Sequence, residues 1–167
     1  MNSVNKTFDN FCKNVKLVLT DVDGVLTDGG MYYSKAGEEL KKFNTRDGMA
    51  IELLLKFNIK TVFITREKSE IVTKRAKKVN AADLYLGIKN KESILSKICT
   101  KFSVKTEEII YIGDDINDIK IMKLVGFSAC PNDANKDVLK IAKYKCKTNG
   151  GEGVLREITD IILLNQN

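Results

Sequence analysis

The sequence contains no histidine. That absence removes histidine-activated nucleophiles, phosphohistidine chemistry and His-containing zinc sites together. Cysteine is sparse: Cys12, Cys99, Cys130 and Cys146 lack CxxC spacing and lie beside core-like segments, which reads as buried or idle thiols of a reducing compartment. No stretch reaches the roughly 18 apolar residues of a membrane span. Met1–Asn10 is polar and has no apolar targeting core. A cytoplasmic protein without membrane contact is the expectation. The net charge of +6 is spread over helical segments, as at Lys74, Lys77 and Lys78. No block of about five or six basic residues occurs, so the lysines read as solvated faces rather than a nucleic-acid surface, and a small anionic substrate remains compatible with the charge.

What is present is one domain's worth of chain with an ordinary balance of apolar (43%) and charged (30%) residues, enough for a continuous core. Strand-like and helix-like patterns alternate with short connectors. Apolar runs at Val15–Thr20, Ile59–Ile64, Leu84–Leu86, Ile109–Ile112 and Phe127–Cys130 read as strands, with Tyr144–Cys146 as a possible edge strand. Helices are expected from about Met49, at Ser69–Val79, Lys91–Phe102, Asp118–Val125, Asn135–Ala142 and Val154–Leu164. Aromatic residues and a Gly-containing turn between Met31 and Phe43 read as a β-hairpin. This pattern predicts an α/β three-layer sandwich with a parallel, Rossmann-like sheet. Residues 1–14 are expected to be a flexible extension, 15–167 a single domain, and about 30–43 a hairpin flap, with no large cap domain between Asp28 and Thr65.

Two acidic clusters carry the chemistry. Asp21-Val22-Asp23-Gly24 follows the first strand, and Gly113-Asp114-Asp115-Ile116-Asn117-Asp118 follows the strand at Ile109. Carboxylates at the carboxyl ends of strands in an open α/β sheet point into the ligand crevice. Brought together they repel unless a cation neutralises them, and a hard divalent ion, Mg2+, both does so and activates phosphoryl groups. Asp21 reads as a nucleophile on phosphorus and Asp23 as the acid that protonates the leaving alkoxide and later deprotonates water. Asp114 is the candidate direct ligand and Asp115 sits behind it. Asp118 either braces the site or caps the next helix. Thr65, at a strand end, offers a hydroxyl and neighbouring N–H groups to a phosphoryl oxygen. Lys91, with Lys89 as competitor, is placed to neutralise phosphate and Asp21.

These residues in this order resemble the haloacid dehalogenase-like phosphatases: Asp21-Val22-Asp23-Gly24-Val25, Thr65, Lys91 and Gly113–Asp118 are similar to their four motifs. The likeness extends to the capless sugar-acid phosphatases, through Leu26-Thr27-Asp28-Gly29, Phe43-Asn44-Thr45-Arg46-Asp47-Gly48 and Gly150-Gly151-Glu152-Gly153-Val154-Leu155-Arg156-Glu157. It implies Mg2+ held by Asp21, the Asp23 carbonyl and Asp114, and a homotetramer assembled through the hairpin. It also implies a tail segment near Gly150–Arg156 that helps close the site. Arg46 resembles the substrate-contacting arginine of that branch. Glu67-Lys68-Ser69-Glu70-Ile71-Val72 with Arg75-Ala76 looks more like nonulosonate 9-phosphate phosphatases than the octulosonate 8-phosphate group, with Glu67, Lys68 and Arg75 orienting the sugar acid.

Two departures stand out. Arg66 replaces the glycine usual after the motif threonine, where it either adds a contact to phosphate or carboxylate or obstructs the pocket. Asn90 stands where an aspartate often precedes the motif lysine. The expected activity is hydrolysis of a phosphorylated 2-keto-3-deoxy sugar acid, with the nonulosonate favoured. The competing expectation is a slow structural or regulatory homologue associated with a nonulosonate cytidylyltransferase, the same fold occurring fused to such enzymes.

Overall fold

The computed structural model describes residues 3–166. Its centre is β1 (Leu17–Thr20), whose residues are all buried, as expected for a strand covered on both faces. β1 pairs in parallel with β4 (Lys60–Ile64) on one side and β6 (Ile109–Ile112) on the other. β5 (Asp83–Tyr85) extends the sheet beyond β4, and β7 (Phe127–Cys130) and β8 (Tyr144–Lys145) extend it beyond β6. All five pairings are parallel, and the order is β5-β4-β1-β6-β7-β8. The chain therefore builds outward from β1 in one direction, then returns to build in the other. A crevice opens at such a reversal, beyond the carboxyl ends of β1 and β6.

Alternation along each strand sorts the core into two layers. Val18, Ile110 and Ile112 face a layer formed by α1 (Ser3–Cys12), α2 (Thr45–Lys56), α3 (Glu70–Lys78) and α7 (Val154–Leu164). Leu17, Leu19, Ile109 and Tyr111 face α4 (Leu95–Phe102), α5 (Ile119–Leu124) and α6 (Lys136–Ile141). The three-layer α/β sandwich is thus as the alternation predicts. Between β1 and β4 lie only α2 and an antiparallel hairpin, β2 (Tyr32–Ser34) and β3 (Gly37–Leu40), which turns through Gly37 at φ +115°. Among the described residues no helix is long and apolar enough to cross a membrane.

Two expectations need correction. Residues 3–12, expected within a flexible extension, form α1: Phe8 is buried with its ring stacked 4.3 Å from Phe127, and Cys12, one turn on, is buried too. Phe11 joins them with its ring 5.2 Å from Phe127, and this short apolar stripe docks the helix. Helix α2 begins at Thr45 rather than near Met49. Asn44 caps it by accepting a hydrogen bond from Arg46 N at 2.9 Å, and Asp47 occupies the first turn, where a carboxylate favours the helix dipole. The four cysteines are free thiols, three buried and Cys99 half-buried.

Candidate active site

The adjacency of β1 and β6 brings the two acidic clusters together. Asp21 N donates to Ile112 O at 2.9 Å, continuing the ladder one residue past β1. Val22 N donates to Asp21 Oδ1 at 2.7 Å and fixes the carboxylate. The chain then reverses at Gly24, φ +86°, a region a side chain rarely adopts. A Cβ there would fall 2.1 Å from Asp114 Oδ2, so only glycine lets the two loops approach this closely. Ligand atoms of Asp21, Asp114 and Asp118 lie within 4.8 Å of one another.

Lys91, in a short 3-10 turn ahead of α4, has no solvent exposure. Its Nζ lies 2.7 Å from Asp21 Oδ2 and donates to Asp118 Oδ1 at 2.6 Å. Asp118 is saturated. Its Oδ1 also accepts from Tyr111 OH at 2.6 Å, and its Oδ2 accepts from Asp114 N and Asp115 N at 3.0 and 3.2 Å. It therefore braces Lys91 and the Asp114 loop, while the free acceptors lie elsewhere: Asp114 Oδ1 and Asp23 Oδ2 are buried without a hydrogen-bond partner among the described residues.

Electrostatics identify what this arrangement requires. Burial, then the charge of Asp118, raises the Asp21 carboxyl to about 7 against the pull of Lys91. Burial, then Asp21 and Asp118, raises Asp114 to about 8. Burial works against the charge on Lys91, but Asp21 and Asp118 outweigh it and its pKa rises. Crowded carboxylates with orphaned buried oxygens fit a hard, oxygen-seeking divalent cation such as Mg2+.

The sequence pattern of the haloacid dehalogenase-like hydrolases matches residues 13–158. The chain belongs to that family. It is 39% identical, over 92% of its length and 82% of the relative's, to the 3-deoxy-D-manno-octulosonate 8-phosphate phosphatase of Salmonella typhi. Among solved structures it is similar to the 3-deoxy-D-manno-octulosonate 8-phosphate phosphatase of Yersinia pestis, with a TM-score of 0.93 and 36% identity over 96% of this chain and 86% of that one. The Moraxella catarrhalis phosphatase of the same name, solved with magnesium ion, phosphate ion and KDO, matches with a TM-score of 0.93 and 31% identity over 98% of this chain and 93% of that one. These homologues are phosphatases of the haloacid dehalogenase-like family.

Against the family pattern, the expected residues divide into three groups. Asp21, Asp23, Thr65, Arg66, Glu67, Asp114 and Asp115 line one cleft of about 160 Å3, together with Met31 from the hairpin side and Asn117. Thr65 is buried, and its Oγ1 accepts from Glu67 N at 3.1 Å, so its hydroxyl hydrogen remains available to a ligand. Lys91 and Asp118 lie beneath Asp21 rather than in the cleft wall. Arg46, Lys68 and Arg75 are outside that wall. Arg75 Nη2 donates to Asn44 O at 2.8 Å and its guanidinium lies over the Phe43 ring, tying α3 to the cap of α2. Arg46 is exposed near Gly153, and the Lys68 stem lies over Gly87.

One part of the site was foreseen only as a segment that helps close it, and another escaped sequence reasoning. The glycine-rich tail packs under the loop that follows β1: Gly151 N donates to Val25 O at 3.0 Å, Gly151 O accepts from Asn44 Nδ2 at 3.1 Å, and a Cβ on Gly150 would sit 2.2 Å from Gly24 O. Lys41, from the residue after β3, pairs with Asp23. Burial opposes its charge, but Asp23 and Glu38 prevail and raise its pKa. The tail left a signal in its run of glycines. Lys41, one lysine among many, left none.

Proposed function

We propose that the chain is a Mg2+-dependent phosphomonoesterase acting on the phosphate ester of a 2-keto-3-deoxy sugar acid. The observation that carries this reading is the meeting of Asp21 and Asp114 in a small cleft with Lys91 beneath Asp21. Asp21, the Asp23 carbonyl and Asp114 would hold the ion. Bound there, Mg2+ supplies Lewis-acid polarisation of the phosphoryl oxygens and relieves repulsion between two anions.

The chain's own residues supply the rest. The Asp21 carboxylate attacks phosphorus, and the ester P–O bond breaks toward the sugar oxygen. Asp23 delivers a proton to that oxygen as it leaves. Asp23 then accepts a proton from water as the water attacks the aspartyl phosphate, which returns Asp21 and releases inorganic phosphate. Lys91 holds Asp21 in its attacking rotamer and offsets charge. The Thr65 hydroxyl donates to a phosphoryl oxygen. Asp115 and Asp118 keep the Asp114 loop in register.

The named relatives, acting on an 8-phosphate octulosonate, support the substrate class. Within it, the resemblance of Glu67–Val72 and Arg75-Ala76 supports a nonulosonate 9-phosphate, and Glu67 stands in the cleft wall beside Arg66, whose guanidinium suits the carboxylate of either sugar acid. Exposed Met31, Tyr32, Tyr33 and Leu40 on and beside the hairpin support self-association into a tetramer.

The test is phosphate release from octulosonate 8-phosphate and nonulosonate 9-phosphates, with and without Mg2+, for the parent and Asp21→Asn. The expected result is Mg2+-dependent release, greatest with a nonulosonate and absent in D21N. Equal release by D21N overturns the nucleophile assignment. Faster turnover of the octulosonate overturns the preference. No release from any ester favours the rival reading, a scaffold for a cytidylyltransferase.

A further inference from the structure

The cation beside Asp23 is Lys41. Its Nζ donates to Asp23 Oδ1 at 2.6 Å and lies 2.8 Å from Glu38 Oε1. The Lys41 side chain has no solvent exposure, although its backbone is at the surface and the cover over it is thin. Glu38, on β3, is itself held: Ser69 Oγ donates to its Oε2. Ser69 caps α3, with Oγ accepting from Val72 N at 3.3 Å, two residues after the cleft-wall segment Thr65–Glu67. The resulting chain Asp23–Lys41–Glu38–Ser69 joins the nucleophile loop, the hairpin and the substrate wall. Among the described residues the Asp23 carboxylate has one further hydrogen bond, a long one of 3.5 Å from Thr27 Oγ1. Lys41 is therefore its principal anchor.

We propose that Lys41 is the positioning residue of the leaving-group proton donor: through its pair with Asp23, and braced by Glu38, it sets the rotamer from which Asp23 serves the departing oxygen. This rests on the phosphatase reading of the site. Lys41 touches neither phosphorus nor the nucleophile, so it acts through Asp23 alone. A mobile Asp23 still leaves Asp21 able to attack, and it is the protonation of a poor leaving group that fails. An aryl ester, whose leaving group departs as a stable anion, has little need of that proton.

This difference provides a readout that general loosening of the fold does not reproduce. Lys41→Met and Lys41→Arg are compared with the parent on a sugar-acid phosphate, an alkyl ester, and on p-nitrophenyl phosphate, both at saturating Mg2+. The quantity read is kcat/KM, which reports steps through leaving-group departure and is blind to the later attack of water on the aspartyl phosphate. In K41M, kcat/KM for the alkyl ester falls about 10- to 100-fold, part of the usual worth of a general acid, while the aryl ester changes less than about threefold. K41R, which keeps a cation within reach, recovers most of the loss. Equal loss on both esters, or no loss on either, overturns the proposal. Should K41M not fold, Glu38→Gln serves instead. It keeps an acceptor for Ser69 while removing the charge that braces Lys41, and it gives the same selective loss at smaller size; an unselective effect overturns the proposal equally. A parent that hydrolyses neither ester overturns the proposed function itself, whereas an active parent with an unselective K41M overturns only the role of Lys41.

Discussion

A methyl group on Gly24 would sit 2.1 Å from Asp114 Oδ2, far inside contact distance. Ninety residues apart in the chain, these two positions are where the loop after β1 and the loop after β6 touch, and the acidic cluster exists because the first has no side chain.

Gly24→Ala should therefore displace Asp114. The new Cβ also meets a backbone held at φ +86°, which costs about 1 kcal/mol in its own right. The expected outcome is a modestly lowered melting temperature with a large loss of Mg2+ affinity, read by isothermal titration. Parent-like Mg2+ binding in G24A would show that Asp114 does not need its observed position.

Lys91→Met tests the buried cation. Asp21 and Asp118 are 5% and 0% exposed, and without Lys91 their carboxylates face each other with little solvent to screen them. Removing one partner of such a cluster costs about 3–5 kcal/mol. Urea unfolding of metal-free K91M should show a loss of that order, partly restored in K91M/D118N, where one of the two repelling charges is gone. If the double variant is no more stable than K91M, the stabilising role assigned to the Lys91–Asp118 contact fails.

These arrangements were unevenly legible in the sequence. The strand-end carboxylates could be read because a β-strand's direction and its terminal turn are local properties, and Val154–Leu164 begins and ends where its apolar spacing does. The meeting of Asp21 with Asp114 needs β1 and β6 to be neighbours, an order that βα alternation leaves open and that the resemblance to the phosphatase motifs implied. Lys41 could not be read. A lysine beside a short, largely exposed hairpin carries the pattern of a solvated face, and only the fold brings it under Asp23. Arg75 was legible as a conspicuous cation but not as to its partner, because its contact is a backbone carbonyl, Asn44 O, which no side-chain pattern records. The docking of α1 rests on Phe8, Phe11 and Cys12, a stripe too short to stand out from a polar segment.

Metal binding should be coupled to protons. Asp21 and Asp114, at about 7 and about 8 without metal, must be ionised to ligate, so Mg2+ uptake near neutral pH releases protons and affinity falls as pH drops below about 8. The sign for stability runs the other way in metal-free protein. Both carboxyls are raised above the unfolded value, so their contribution is present at low pH and lost as pH climbs from about 4 through about 8. Melting temperatures in EDTA should therefore decline between about pH 5 and pH 8.5, and Mg2+ should stabilise most at the alkaline end. A Mg2+ shift that is constant across this range would remove the coupling.

Asp47 offers an independent titration away from the cleft. It is 3% exposed, its Oδ1 accepts from Arg156 N at 3.0 Å, and its Oδ2 has no hydrogen-bond partner among the described residues. Burial raises it to about 6 despite the hydrogen bond from Arg156 N and the nearby Arg75 guanidinium. Because the folded state holds this proton more tightly than the unfolded chain, Asp47 favours folding at low pH, and that contribution drains away between about pH 4 and pH 6, by about 3 kcal/mol in all. Asp47→Asn keeps an acceptor for Arg156 N and removes the titration. With Mg2+ saturating, so that Asp21 and Asp114 stay ionised, the stability of D47N relative to the parent should increase from pH 4.5 to pH 7 and then level off. Urea unfolding at a series of pH values measures this difference directly. A difference that stays flat over that interval would mean that Asp47 ionises as readily in the folded protein as in water, and the buried, half-satisfied carboxylate would have to be reassigned as a solvated one.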